Sequence, residues 1–192
     1  DLVVNLACLM HDVGKPPTRT KDDQGRTRFF GHESVGGEMT RTILQRLKFS
    51  NEVIDAVVLL VRNHMRLSSM DRVSPSAARR LVRDLGDHLE DLLHVIEADA
   101  ASLKPGVRAL DLDPLREMLA KVRIETPVET LKSPLRGEEV MELLGIGPGP
   151  AVGQAMHYLT ELVLEGELAP DDREGAQRAL LVQRKAISQD NG

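Results

Sequence analysis

The sequence predicts an all-α fold. Apolar residues recur at helical spacing in one segment after another, no segment shows the strict alternation of a half-buried strand, and aromatic residues make up only 2% of the chain. A core without Trp, and with three Phe and one Tyr, must be filled by Leu, Val, Ile, Ala and Met, a composition that favours helices.

The first segment, residues 2–12, is apolar almost all round, as expected of a helix buried on several sides, and Gly14, Pro16 and Pro17 end it. Residues 18–30, "TRTKDDQGRTRFF", are polar and turn-rich. A second helix is expected from Gly31 to Lys48, with Val35, Met39, Ile43 and Leu47 as its core stripe and with Gly36 and Gly37 allowing close approach to a neighbour. Ser50 or Asn51 caps a third helix through Met65; Ser74 and Pro75 are the cap and first-turn proline of a fourth, through Leu85. A fifth runs from Asp87 to Lys104.

After Pro105 the character changes. "DLDP" at 111–114 reads as a cap and a short helix, and "ETPVETLKSPLRG" as a proline-broken connector. Three short helices follow: Arg136 to Leu144, the end of "GIGPGP" to Glu165, and Asp171 to Ile187. The expected organisation is a helical domain over 1–104, a connector over 105–135 and a C-terminal helical segment over 136–192.

Composition narrows the function. A chain of 192 residues holds one domain with a real core and a small appendage, and 41% apolar with 29% charged residues argues against disorder. A net charge of -5 supplies no global field for nucleic acid, so any RNA contact must be local. The single cysteine, Cys8, fits a reducing compartment and reads as a small buried hydrophobe. The longest apolar run, "AVVLLV" at 56–61, is far short of the roughly 20 residues of a membrane span, and a cytoplasmic location is expected. The chain opens at Asp1 in what reads as helix interior, and is expected to be part of a longer protein.

Several chemistry-bearing residues fall on the inward faces. Asp99 shares a stripe with Leu92, Ile96 and Leu103; His64 ends the Val57, Val61 stripe; His32 opens the second helix; His11 and Asp12 end the first. A lone inward His is usually a core residue bonded to a carbonyl, and a lone Asp usually meets an Arg. Several together, without Cys, form a ligand set suited to a hard or borderline divalent metal. Asp111 and Asp113 lack a preceding glycine-rich turn and read as capping; "GIGPGPAVG" lacks the Lys-Ser/Thr of a phosphate loop; His88, His94 and His157 read as surface. Arg62 and Arg66 flank His64, and with Arg79, Arg80 and Arg83 they form either a solvated surface or a basic stripe for an RNA backbone, without an aromatic stacking platform.

The order His11-Asp12, then His32 in "FFGHE", His64 in "RNHMR" and Asp99 in "EADA" resembles the HD superfamily of metal-dependent phosphohydrolases. More narrowly, "HDVGKPPTRT" and the segments after it resemble the HD module of bacterial tRNA nucleotidyltransferase and poly(A) polymerase-type proteins, and the tail from "PLRGEEV" is similar to their C-terminal helical segment. The resemblance implies an HD-domain helical bundle. It also implies that His11, Asp12 and Asp99 hold one metal with a histidine upstream of Asp1, and that Asp12 bridges to a second held by His32 and His64. The ion could be Mn, Ni, Co, Fe, Zn or Mg. Such a centre lowers the pKa of water and polarises a phosphoryl oxygen, which points to hydrolysis of nucleotides or RNA 3′ ends, 2′,3′-cyclic phosphates for instance. Lys15, three residues past Asp12, is placed to reach a phosphate oxygen, and Arg62 and Arg66 are candidate substrate contacts. The alternatives are a non-catalytic body that binds tRNA or orients an upstream nucleotidyltransferase head, and a regulatory nucleotide-binding domain.

Overall fold

Asp1 caps the first helix, its carboxylate accepting from the amides of Val3 and Val4 at 2.7 and 3.3 Å. The computed structural model describes residues 1–67, 74–102, 112–125, 127 and 131–190, the last six by backbone alone. In chain order it has α1 (Leu2–Met10), a hairpin of β1 (Thr20–Lys21) and β2 (Thr27–Arg28), α2 (His32–Arg46), α3 (Asn51–Asn63), α4 (Pro75–Leu85), a 3-10 turn (Gly86–His88), α5 (Leu89–Ser102), α6 (Asp113–Glu125), α7 (Gly137–Leu144), α8 (Pro150–Glu165) and α9 (Arg173–Asp190). The all-α expectation holds. Ser50 caps α3 through the Val53 amide, Ser74 caps α4 through the Ala77 amide, and Pro150 sits at the start of α8. Lys104, Leu103 and Asp111, placed from sequence at a helix end, in a stripe and at a cap, lie outside the described residues.

The hairpin is the element that the sequence does not announce. Its strands pair Thr20 with Arg28 and Lys21 with Thr27, too short a ladder to show alternation. Asp22 holds it closed, accepting from the amides of Gln24 and Arg26 and from the guanidinium groups of Arg26 and Arg28, while Gly25 takes the left-handed conformation.

Contacts divide the chain into two units, Asp1–Val73 with Leu85–Leu115, and Ser74–Asp84 with Arg116–Gly192. In the first, α2 packs on α3, and α1 lies against α3 and α5. Its core comprises Leu44, Ile54, Val57, Leu60, Val61, Leu92 and Leu93. The inward face of α2 differs from the expected stripe. His32, Gly36, Gly37, Thr40 and Leu44 are buried, whereas Val35 and Leu47 are exposed and Met39 and Ile43 half-buried. The small residues win that face because they let two helix backbones approach, and the larger apolar ones are displaced to its edge. Helix α1 is likewise less enclosed than expected, with Ala7 buried but Leu9 74% exposed.

In the second unit Leu131, Leu135, Val140, Leu159, Leu164 and Leu180 form the core of α7, α8 and α9. Here the expected basic stripe of α4 meets its partners. Arg80 donates to Glu161 and Glu165 at 2.6 Å each, Arg79 donates to the Leu164 carbonyl at 2.6 Å, and Arg83 pairs with Asp84 and Glu161. Hydrogen bonds from Arg80 pull the Glu161 and Glu165 carboxyls below the usual range. These arginines stitch α4 to α8. Among the described residues no helix is long and apolar enough to cross a membrane.

Candidate metal centre

Three histidines share one local design. Each ends or begins a helix, and each donates Nδ1–H to the carbonyl three residues before it: His11 to Cys8 at 2.8 Å, His32 to Phe29 at 2.8 Å, His64 to Val61 at 2.6 Å. With Nδ1–H donated to a carbonyl, the neutral ring carries its lone pair on Nε2.

These lone pairs converge with two carboxylates. His32 Nε2 and His64 Nε2 stand 3.2 Å apart, with Asp12 Oδ1 3.7 and 3.9 Å from them. On the other side of the same carboxylate, Asp12 Oδ2 is 3.3 Å from His11 Nε2, which is itself 3.4 Å from Asp99 Oδ1. The structure thus brings His11, Asp12, His32, His64 and Asp99 together, from α1, α2, α3 and α5 and the turns that end them. Asp99 is 46% exposed at its side chain and sits at the rim, not among the leucines of α5.

Two facing nitrogen lone pairs repel unless a proton or a cation lies between them. Two nitrogens bound at about 2.0–2.1 Å to one tetrahedral ion stand roughly 3.3 Å apart, close to the His32–His64 separation. Asp12, His32 and His64 therefore make a group that can hold a divalent cation, and their nitrogen and oxygen donors suit a borderline one. Burial pushes the His64 imidazole below its ordinary pKa; the Val61 carbonyl opposes this, and nearby His11 and His32 add to it. A neutral imidazole is the form that ligates.

Glycines bring these elements close. A Cβ at Gly14 would overlap the His32 carbonyl and come within 2.6 Å of Gly36 N, so the chain after α1 lies backbone to backbone on α2. Gly14 thus serves packing against the turn that carries His32, in addition to ending the helix.

Lys15 donates to Asp12 Oδ2 at 2.6 Å and stands 5.9 Å above the Phe29 ring. Arg62 lies across Gly37 and pairs with Glu38, and Arg66 donates to Asn63 Oδ1 at 3.2 Å. Sequence reasoning overlooked the carbonyls of Cys8, Phe29 and Val61 that orient the rings. Cys8, Phe29 and Val61 share no residue type, so no sequence signal marked these carbonyls. It also overlooked Phe29 and Phe30, of which Phe30 is 80% exposed.

Comparison with known protein families matches residues 1–102 to the HD domain. The chain belongs to the HD domain family. Over 173 residues it is 38% identical to the A-adding tRNA nucleotidyltransferase of Deinococcus radiodurans, covering 88% of this HD chain and 39% of that protein. Over 184 residues it is 39% identical to the CC-adding tRNA nucleotidyltransferase of Thermus thermophilus, covering 95% and 40%. The multifunctional CCA protein of Halorhodospira halophila is 30% identical over 161 residues, covering 80% and 38%. The chain spans about two fifths of the length of these relatives. No solved structure matches it significantly.

Proposed function

We propose that the HD unit is a metal-dependent phosphohydrolase acting on nucleotides or RNA 3′ ends, within a cytoplasmic protein of the tRNA nucleotidyltransferase type. The observation that carries this reading is the His32 and His64 Nε2 pair 3.2 Å apart with Asp12 Oδ1 beside it, a spacing that suits two nitrogens on one divalent ion. His32, His64 and Asp12 Oδ1 would hold one ion, and His11, Asp99 and Asp12 Oδ2 would take part in holding a second, with Asp12 shared. Bound there, divalent ions supply Lewis-acid polarisation of a phosphoryl oxygen and a lowered pKa for water.

The chain's own groups do the rest. Lys15 carries a fixed positive charge to the edge of the donor set, where it can take a non-bridging phosphate oxygen as charge develops on it. The Phe29 ring beneath its ammonium keeps that charge near Asp12. Arg62 and Arg66 are proposed as further phosphate contacts. Arg62 would have to leave Glu38, an exposed pair worth at most about 1 kcal/mol, so the exchange is inexpensive.

Hydrolysis of adenosine 2′,3′-cyclic phosphate by the manganese-loaded chain, with Asp12→Ala as control, tests the proposal. Turnover lost in the variant is expected; equal turnover by both proteins rules out the site. Binding of tRNA with no hydrolysis would favour the scaffold reading, to which the tRNA-nucleotidyltransferase relatives lend weight.

A further inference from the structure

Phe29 to His32 form a tight turn. The Phe29 carbonyl accepts from the His32 amide at 3.2 Å as well as from the His32 ring at 2.8 Å, and Gly31 at φ 75°, ψ 11° has the left-handed geometry of the third residue of a type II turn. Phe30 occupies the corner, where proline or a polar residue is usual. One exposed apolar side chain is ordinary on a protein surface. What sets Phe30 apart is its place: two residues from a ligand histidine, so within about 7.6 Å along the Cα trace, in a chain that has four aromatic residues in all. It is 80% exposed, so neither the core nor the turn accounts for a ring there. Its position is not loose either, because both bonds to the Phe29 carbonyl and the close approach of Gly14 to the His32 carbonyl fix the turn against the donor set.

We infer that Phe30 is a stacking residue for the nucleobase of the substrate, which makes the ligand a nucleoside phosphate in place of a generic phosphoester. The inference rests on the phosphohydrolase reading above for where the phosphate lies. In a nucleoside phosphate one ribose separates base from phosphate. A phosphate held between the donor set and Lys15 therefore leaves its base about a sugar's length away, a span comparable with the roughly 7.6 Å or less between the Cα atoms of Phe30 and His32. An aromatic ring accepts any base by its π-face, so stacking fixes the class of ligand and leaves the base identity open. Phe29, half-buried under Lys15, and Phe30, exposed at the corner, divide the work: one ring steadies the charge that meets the phosphate and the other meets the base.

The test compares binding of adenosine 2′,3′-cyclic phosphate and of base-free ribose 2′,3′-cyclic phosphate to the manganese-loaded chain by titration calorimetry, with hydrolysis of both followed separately. The wild type prefers the nucleotide. Phe30→Ala lowers that preference about tenfold and Phe30→Trp restores it. An unchanged preference in Phe30→Ala, or no preference in the wild type, overturns the inference while hydrolysis of both ligands leaves the phosphohydrolase reading standing. Binding that prefers the nucleotide and depends on Phe30, with no hydrolysis, does the reverse.

Discussion

His32 and His64 face each other through Nε2 atoms 3.2 Å apart, each with Nδ1–H already donated to the backbone. A cation relieves that opposition. Manganese in excess should therefore stabilise the folded chain, by about 2.7 kcal/mol when the metal is present at a hundred times its dissociation constant. His64→Ala removes one side of the contact, and the thermal shift with manganese should largely disappear. Calorimetry with and without the metal, alongside metal content by mass spectrometry, measures both. A full shift in the variant would mean that the ion binds elsewhere.

Gly14 and Gly37 both touch a neighbour, but what they touch differs. A side chain at Gly14 meets backbone, the His32 carbonyl and Gly36 N, which cannot move without displacing α2. At Gly37 it meets Arg62, with Cγ at 2.6 Å and Nε at 2.7 Å, on an exposed side chain that can swing away from Glu38. Gly14→Ala should cost about 1–3 kcal/mol or more and weaken metal binding through His32. Gly37→Ala should cost less and leave metal binding near wild type. Urea denaturation and manganese titration of the pair separate the two; equal costs would contradict the contact geometry.

The convergence of these side chains was largely legible in the sequence because His11, Asp12, His32 and His64 lie at helix ends, where caps, prolines and apolar periodicity fix the boundaries. His64 follows Val57 and Val61 by helical spacing, and both valines are buried as that spacing requires. The α2 face was misread because Val35 and Leu47 outweigh glycine in any apolar count, although Gly36 and Thr40 occupy the helix contact. Asp99 was placed among leucines since periodicity shows a face but not where a core ends. The hairpin escaped because its closure depends on one carboxylate, Asp22, with four donors, and no periodic pattern records that.

Acid should loosen the second unit through Arg80. The Glu161 carboxyl is held below its usual pKa by the Arg80 hydrogen bond, so as pH falls past about 4.5 the unfolded chain takes up a proton before the folded one does. The contribution is complete above that value and is lost as pH falls through the folded pKa. Tyr158, the chain's single tyrosine, packs against this unit's core, and its fluorescence reports the unit's unfolding without interference from tryptophan. Glu161→Gln should flatten the fall of the urea midpoint as pH drops below about 5; a wild-type slope in the variant would assign the acid sensitivity to other carboxylates.

Lys15 should oppose metal binding and support turnover. Its ammonium lies 2.6 Å from Asp12 Oδ2, the oxygen that also faces His11, and so competes with any cation for that carboxylate. Both side chains are more than a third exposed, which limits the pair to about 0.2–1 kcal/mol. Lys15→Met keeps the aliphatic stem over Phe29 and removes the charge. Manganese affinity should then rise by a factor of about 1.4–5, the same energy expressed as a ratio. Hydrolysis should move the other way, because the charge that meets a phosphate oxygen in the transition state is gone; loss of one such donor elsewhere costs about 10²–10³ in kcat. A lysine that merely held Asp12 in place for the metal would give weaker binding and slower turnover together. The opposed signs, read by calorimetry and by kcat on one variant, distinguish a phosphate-facing lysine from a structural one.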